Sequence, residues 1–179
     1  MFQLENQTAK LSNVNLRAEL HGEETKIAVD LKFDVKLSND VLSYFDPDLK
    51  SSMYKQSSES AQGELIDVPG YLPALKFPKM SPIKWDWKGA GYEAVVNYGI
   101  SGKDDIRMIQ IEIDSFKFDC QDGGTVALSF RAIAHPTSDE IGRLSELVQR
   151  EITLSLYPPS VEDQLKAELA GMGNDGDEE

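Results

Sequence analysis

Residues 25–37, TKIAVDLKFDVKL, alternate without a break. Ile27, Val29, Leu31, Phe33, Val35 and Leu37 fall on one side, and Lys26, Asp30, Lys32, Asp34 and Lys36 on the other. A period of two with β-branched residues specifies a strand, half buried and half wet. Upstream, Leu11, Val14, Leu16, Ala18 and Leu20 lead to Gly22, so the first two strands read as a hairpin with Gly22 in its turn.

Ser38, Asn39 and Asp40 end the alternation, and each is a residue type that caps helices. Val41, Leu42, Phe45, Leu49 and Met53 follow at helical spacing, interrupted by Pro47, which predicts two short helices or one bent one. Residues 55–63 read as a polar loop. Pro69, Pro73, Pro78 and Pro82 make 64–82 an extended loop, with Leu72, Leu75 and Phe77 as its apolar anchors. Strand patterns return at 83–88, 91–100, 105–113, 116–120 and 125–134. Ile109, Ile111 and Ile113 share one parity and Phe116, Phe118 and Cys120 the other, which places a bulge or bend at Asp114-Ser115. Asp122-Gly123-Gly124 is a hairpin turn. Ser138-Asp139-Glu140 opens a helix with an apolar stripe of Ile141, Leu144, Leu147 and Val148. Residues 151–157 alternate again up to Pro158-Pro159, and Val161, Leu165, Leu169 and Met172 suggest a last short helix.

Hairpin, long strand and helix occur twice, with the second strands starting at Thr25 and Thr125. An internal duplication is one reading, and two independent uses of a common unit is the other. The expected fold is α+β: mainly antiparallel sheet of about eight strands, with two or three helices. Its core should contain Ile27, Val29, Leu31, Phe33, Ile111, Phe118, Leu128, Phe130 and Leu154.

With 179 residues, one globular domain is expected over 1–160, followed at 161–179 by a short helix and an acidic tail. The net charge of −13 is uneven, because 161–179 carries seven acids against Lys166. Its end, GNDGDEE, has nothing to bury and reads as disordered. The single cysteine excludes a disulfide framework and a multi-thiolate zinc site. No apolar run is long enough for a membrane span, and no signal-peptide pattern opens the chain. The expectation is a protein of the host-cell cytoplasm, with no membrane, metal or cofactor.

Residues for catalysis are few. His21 and His135 are the only histidines and lie in no metal-binding spacing. Gly89-Ala90-Gly91 lacks the third glycine and the strand-to-helix setting of a phosphate loop, and reads as a turn. Acidic pairs such as Asp46/Asp48 and Asp104/Asp105 are what 31 acids produce on a solvated surface. A non-enzymatic binding protein is therefore expected.

One basic island stands out. KFPKMSPIKWDWK, residues 76–88, has four lysines against Asp86. Trp85 and Trp87 share a face with Ile83, and Tyr92 and Tyr98 follow within hairpin reach. In one reading the tryptophans belong to the core or the sheet face, and the lysines protect an edge strand. In the other, Trp85, Trp87 and Tyr92 stack on bases while Lys76, Lys79, Lys84 and Lys88 follow the phosphates.

A basic-aromatic segment joined to an acidic tail resembles the plan of phage and bacterial single-stranded-DNA-binding proteins. In those proteins the tail competes with DNA and recruits partners. The resemblance implies a partner-binding role for Asp175, Asp177, Glu178 and Glu179, although such tails usually end in an aromatic or apolar residue and this one does not. The stretches KFPKMSPIKWDWKGAGY and FKFDCQDGGTVALSFRAIAHP are also similar to small proteins of unknown function from phage and prophage early regions. Together these imply an accessory protein of phage DNA replication or recombination that contacts single-stranded DNA. The rival is an acidic phage inhibitor, of anti-defence or DNA-mimic type, that binds a host protein complex through its negative charge; the partner is then single-stranded DNA or a host or phage protein complex. Exposed edge strands would make a homo-oligomer unsurprising.

Overall fold

The computed structural model describes residues 1–21, 24–57, 70–100 and 102–161. The turn at Gly22, most of the loop expected from 55 onward, the last helix beyond Val161 and the acidic tail lie outside the described residues.

In chain order the strands are β1 (Leu4–His21), β2 (Glu24–Ser38), β3 (Tyr54–Lys55), β4 (Ala74–Leu75), β5 (Ile83–Trp85), β6 (Gly89–Val96), β7 (Ile106–Gln121), β8 (Thr125–Ala134) and β9 (Glu151–Tyr157). The helices are a 3-10 turn at Asn39–Tyr44, α1 (Leu49–Met53) and α2 (Ser138–Glu146). The mainly antiparallel α+β architecture is as the alternation requires.

The sheet closes on itself. β1 pairs with β2, β2 with β8, β8 with β7, β7 with β6, β6 with β9, and β9 with β1, each antiparallel. Six strands thus form a barrel, with β5 beyond β6 on the same edge of β7. Closure is the most complete way to remove open strand edges. The second strands of the two hairpin–helix units, β2 and β8, lie side by side.

β7 runs through both segments that the sequence separates. Its register shifts between Asp114 and Lys117, and Ser115 takes φ +58°, so the parity change at 114–115 is a bulge in one strand. Gly123 and Gly124 both adopt positive φ in the β7–β8 turn, a backbone that residues with a Cβ resist.

Alternate residues of all six strands fill the barrel: Ala9 and Leu11 from β1, Val29, Leu31 and Phe33 from β2, Ala94 and Val96 from β6, Ile111 and Phe118 from β7, Leu128 and Phe130 from β8, and Leu154 from β9. Ile27 is a correction. It is 49% exposed, because β2 pairs with β8 only from Val29 onward and Ile27 lies on the part of the hairpin beyond the barrel.

α2 packs at one end, where Leu144 is buried. It opens at Ser138, and its cap is Thr137: the Thr137 side chain accepts from the Glu140 amide, and the Glu140 carboxylate accepts from the Thr137 amide at 2.7 Å. The other end is covered by the 3-10 turn and α1. Of the three capping candidates, Ser38 caps the turn, its side chain accepting from the Asp40 amide. Asp46-Pro47-Asp48 then separates the two short helices.

Candidate nucleic-acid interface

The basic segment leaves β4, crosses the helix-covered end of the barrel and joins β7 as β5. Backbone hydrogen bonds hold it despite its prolines. The Lys76 amide donates to the Met53 carbonyl at 2.9 Å, and the Gly123 amide donates to the Pro73 carbonyl at 2.9 Å. The Asn39 side chain donates to the Leu72 carbonyl at 2.8 Å.

The tryptophans face inward. Phe45, delivered by the 3-10 turn, lies 6.4 Å from Trp85 and 5.9 Å from Trp87 between ring centroids, and 5.0 Å from Phe116. Trp85 also meets Phe118 at 6.0 Å, and Trp87 meets Phe116 at 5.5 Å. These half-buried rings complete the core at this end. Gly89 makes the approach feasible, since a Cβ there would lie 2.6 Å from the Tyr92 ring and 2.9 Å from the Trp87 ring. Gly89-Ala90-Gly91 is accordingly the start of β6 and not a turn.

Tyr92 corrects the expectation of base stacking most sharply. It is 0% exposed inside the barrel, and its hydroxyl meets no hydrogen-bond partner. Burial alone pushes its phenol up to about 12.

The lysines face outward. Lys84 on β5 stands directly opposite Lys117 on β7, because Ile83 and Trp85 take the inner positions opposite Phe118 and Phe116. Like charges directly opposite each other on a sheet are destabilising. None of Lys79, Lys84, Lys88 and Lys117 forms an ion pair with a described residue. Lys76 is more engaged, donating its ammonium to the Ser51 carbonyl at 2.6 Å. Lys117 starts a row that continues over the outer face through Ser129, Asp34 and Lys10 to Glu151. The row lies in a groove of about 570 Å³, where Lys10, Lys36 and Lys117 are balanced by Asp34, Asp119 and Glu151.

Phe77, expected as an anchor, is 54% exposed between Lys76 and Lys79. The other two expected anchors hold: Leu75 is buried and Leu72 packs partly buried against the core. Tyr71 and Met80 are exposed nearby in sequence. Lys117 and Phe77 are therefore the members of this surface that sequence reasoning missed. A lysine opposite Lys84 needs the β5–β7 register to be known, whereas Phe77 was already visible inside the basic run.

No family model matches this chain. No curated protein and no solved structure matches it either.

Cys120 is half buried with its thiol pushed up, by burial first. His135 Nε2 lies 3.1 Å from Glu19, and His21 ends β1. Among the described residues no three His, Cys, Asp or Glu side chains gather as a metal site, and no helix is long and apolar enough to cross a membrane. Asp175, Asp177, Glu178 and Glu179 lie outside the described residues.

Proposed function

We propose that this is a non-enzymatic binding protein that contacts single-stranded DNA, serving as an accessory factor of phage DNA replication or recombination. The observation that supports the reading is the opposition of Lys84 and Lys117, neither of which forms an ion pair with a described residue. An anion bound there relieves the repulsion. Lys79 and Lys88 extend the surface along a phosphate backbone, and exposed Phe77 offers a ring for stacking. Trp85 and Trp87 support this surface from beneath, and Tyr92 takes no part. The acid-rich residues 161–179 compete for the same lysines.

A second reading is favoured by the opposite end of the barrel. Asp104, Asp139, Glu140 and Glu146 gather around α2, where Arg143 meets Asp139 at 3.0 Å and the Asp104 carbonyl at 2.7 Å. That acidic end suits a basic host protein, as an inhibitor of a defence complex would require.

Fluorescence anisotropy with a labelled oligonucleotide separates the two. Neutralising three or four phosphates of a single strand gives an affinity loss of about 20- to 50-fold between 50 and 200 mM salt. Lys84→Glu with Lys117→Glu should weaken binding further. Phe77→Ala should cost about 1–3 kcal/mol if one base stacks there. Tyr92→Phe should leave binding unchanged, and a chain ending at Ser160 should bind more tightly. Absence of binding at 50 mM salt by either chain rejects the DNA reading and leaves β5 as a lysine-protected edge.

A further inference from the structure

The β1–β2 hairpin outruns the barrel. β9 pairs with β1 only as far as Lys10, and β8 pairs with β2 only from Val29. Beyond those points the two strands continue as an arm that pairs only within itself, Arg17 opposite Ala28 and Ala18 opposite Ile27. From Asn13 to His21 the outer edge of β1 meets no described strand.

One face of the arm is apolar and open to water. Leu16 is 50% exposed and Leu20 80%, with Ala18 between them and Ile27 across the hairpin. On the other face Arg17 contacts Glu19 at 2.5 Å and Asp30 at 3.0 Å, and Glu19 also meets His135. Natural sheets usually blunt such an edge with lysine, proline or a covering element. Residues 13–20, NVNLRAEL, contain neither lysine nor proline.

The edge is complementary to itself. In an antiparallel pairing of two copies with Ala18 opposite Ala18, Arg17 faces Glu19 of the second copy and Leu16 faces its Leu20. The two-fold axis makes each of these contacts twice. Neighbouring two-fold registers are unfavourable, since they set Arg17 against Arg17 or Glu19 against Glu19. Charge and apolar pattern therefore select one register.

We propose that the arm is a dimerisation element, in which two copies join β1 to β1 about a two-fold axis at Ala18. The product is a four-stranded antiparallel sheet, β2–β1–β1–β2, between two barrels. Isologous pairing closes after two copies, so an adhesive edge produces a dimer and not a fibre.

Sedimentation of the full chain tests this, with a dimer of twice the 19.9 kDa chain mass expected. Arg17→Glu and Glu19→Arg, each alone, should weaken the dimer at least about tenfold by placing like charges opposite each other. The double variant R17E/E19R should restore it. Leu20→Lys, at an exposed position outside the core, should also yield monomer while circular dichroism stays unchanged. Ala18→Cys should cross-link two chains on mild oxidation, because directly opposed Cα atoms lie within disulfide range. The unsubstituted chain, whose one cysteine is half-buried Cys120, should not cross-link. A monomeric unsubstituted chain overturns the proposal, as does a dimer indifferent to these charge and Leu20 changes, or an Ala18→Cys protein that does not cross-link.

Discussion

Asp114 is the only acidic side chain among the buried polar residues described, at 7% exposure, and Arg131 holds it with two bonds. Nε donates to one carboxylate oxygen at 2.8 Å and Nη2 to the other at 2.6 Å. Arg131 Nη1 also lies 3.7 Å from Asp30, which links the bulge of β7 to the β1–β2 hairpin. The hydrogen bonds from Arg131 keep the Asp114 carboxyl below the ordinary carboxylate range against the opposing effect of burial. A lowered folded-state pKa adds stability above the unfolded value, about 3.9, and that stability is lost as pH falls through the folded value. Arg131→Met should therefore cost about 2–3 kcal/mol at pH 7, by leaving a desolvated carboxylate without its partner. Urea titrations at a series of pH values should show the penalty shrinking as Asp114 becomes protonated. A penalty that stays constant down to pH 2 would mean that packing of the Arg131 stem, not its charge, is what matters.

At the scale of elements, the 3-10 turn at Asn39–Tyr44 places one ring where several strands need it. Phe45 touches Phe2, Trp85, Trp87, Phe116 and Phe118. Phe45→Ala should cost about 3 kcal/mol, near the lower end for a phenylalanine because the ring is half buried. Tryptophan emission should move to longer wavelength as water reaches Trp85 and Trp87. Unchanged emission would mean that the strands hold the tryptophans without the turn. This cluster marks what the sequence could convey. Alternation put Trp85, Trp87 and Ile83 on one face, and that face is real. Which way it points depends on Phe45, about forty residues earlier in the chain, and no local pattern encodes that contact. The bulge at Ser115 was legible because a parity change is itself local. Ile27 shows the opposite case: its alternation identifies a strand but not where the neighbouring strand β8 stops. The lysines of the proposed interface were visible as composition, whereas the Lys84–Lys117 opposition came only with the register.

For the whole molecule, closure couples the two ends. Every barrel strand has a partner on each side, so losing one pairing exposes two edges. Urea unfolding followed by tryptophan fluorescence, which reports the Phe45 end, should coincide with far-ultraviolet circular dichroism, which reports the sheet. Separate transitions would show that the β1–β2 hairpin melts on its own. Lys84 and Lys117 lie toward the end that holds the 3-10 turn, and Asp139, Glu140 and Glu146 lie on α2 at the other. A dimer through the arm would then present two lysine surfaces from one assembly, and on a long strand both could engage at once.

The pairing of β1 with β9 sets Leu4 beside Leu156 and brings the Asn6 amide to the Ser155 hydroxyl at 3.0 Å. A ribosome makes the first strand of this barrel early and its last neighbour late. Until residue 157 has been added, the nascent chain holds an open apolar sheet, exposed to chaperones and to other chains. Expression at lower temperature, or slower initiation, should therefore raise the yield of folded protein more than any change that merely strengthens the finished core.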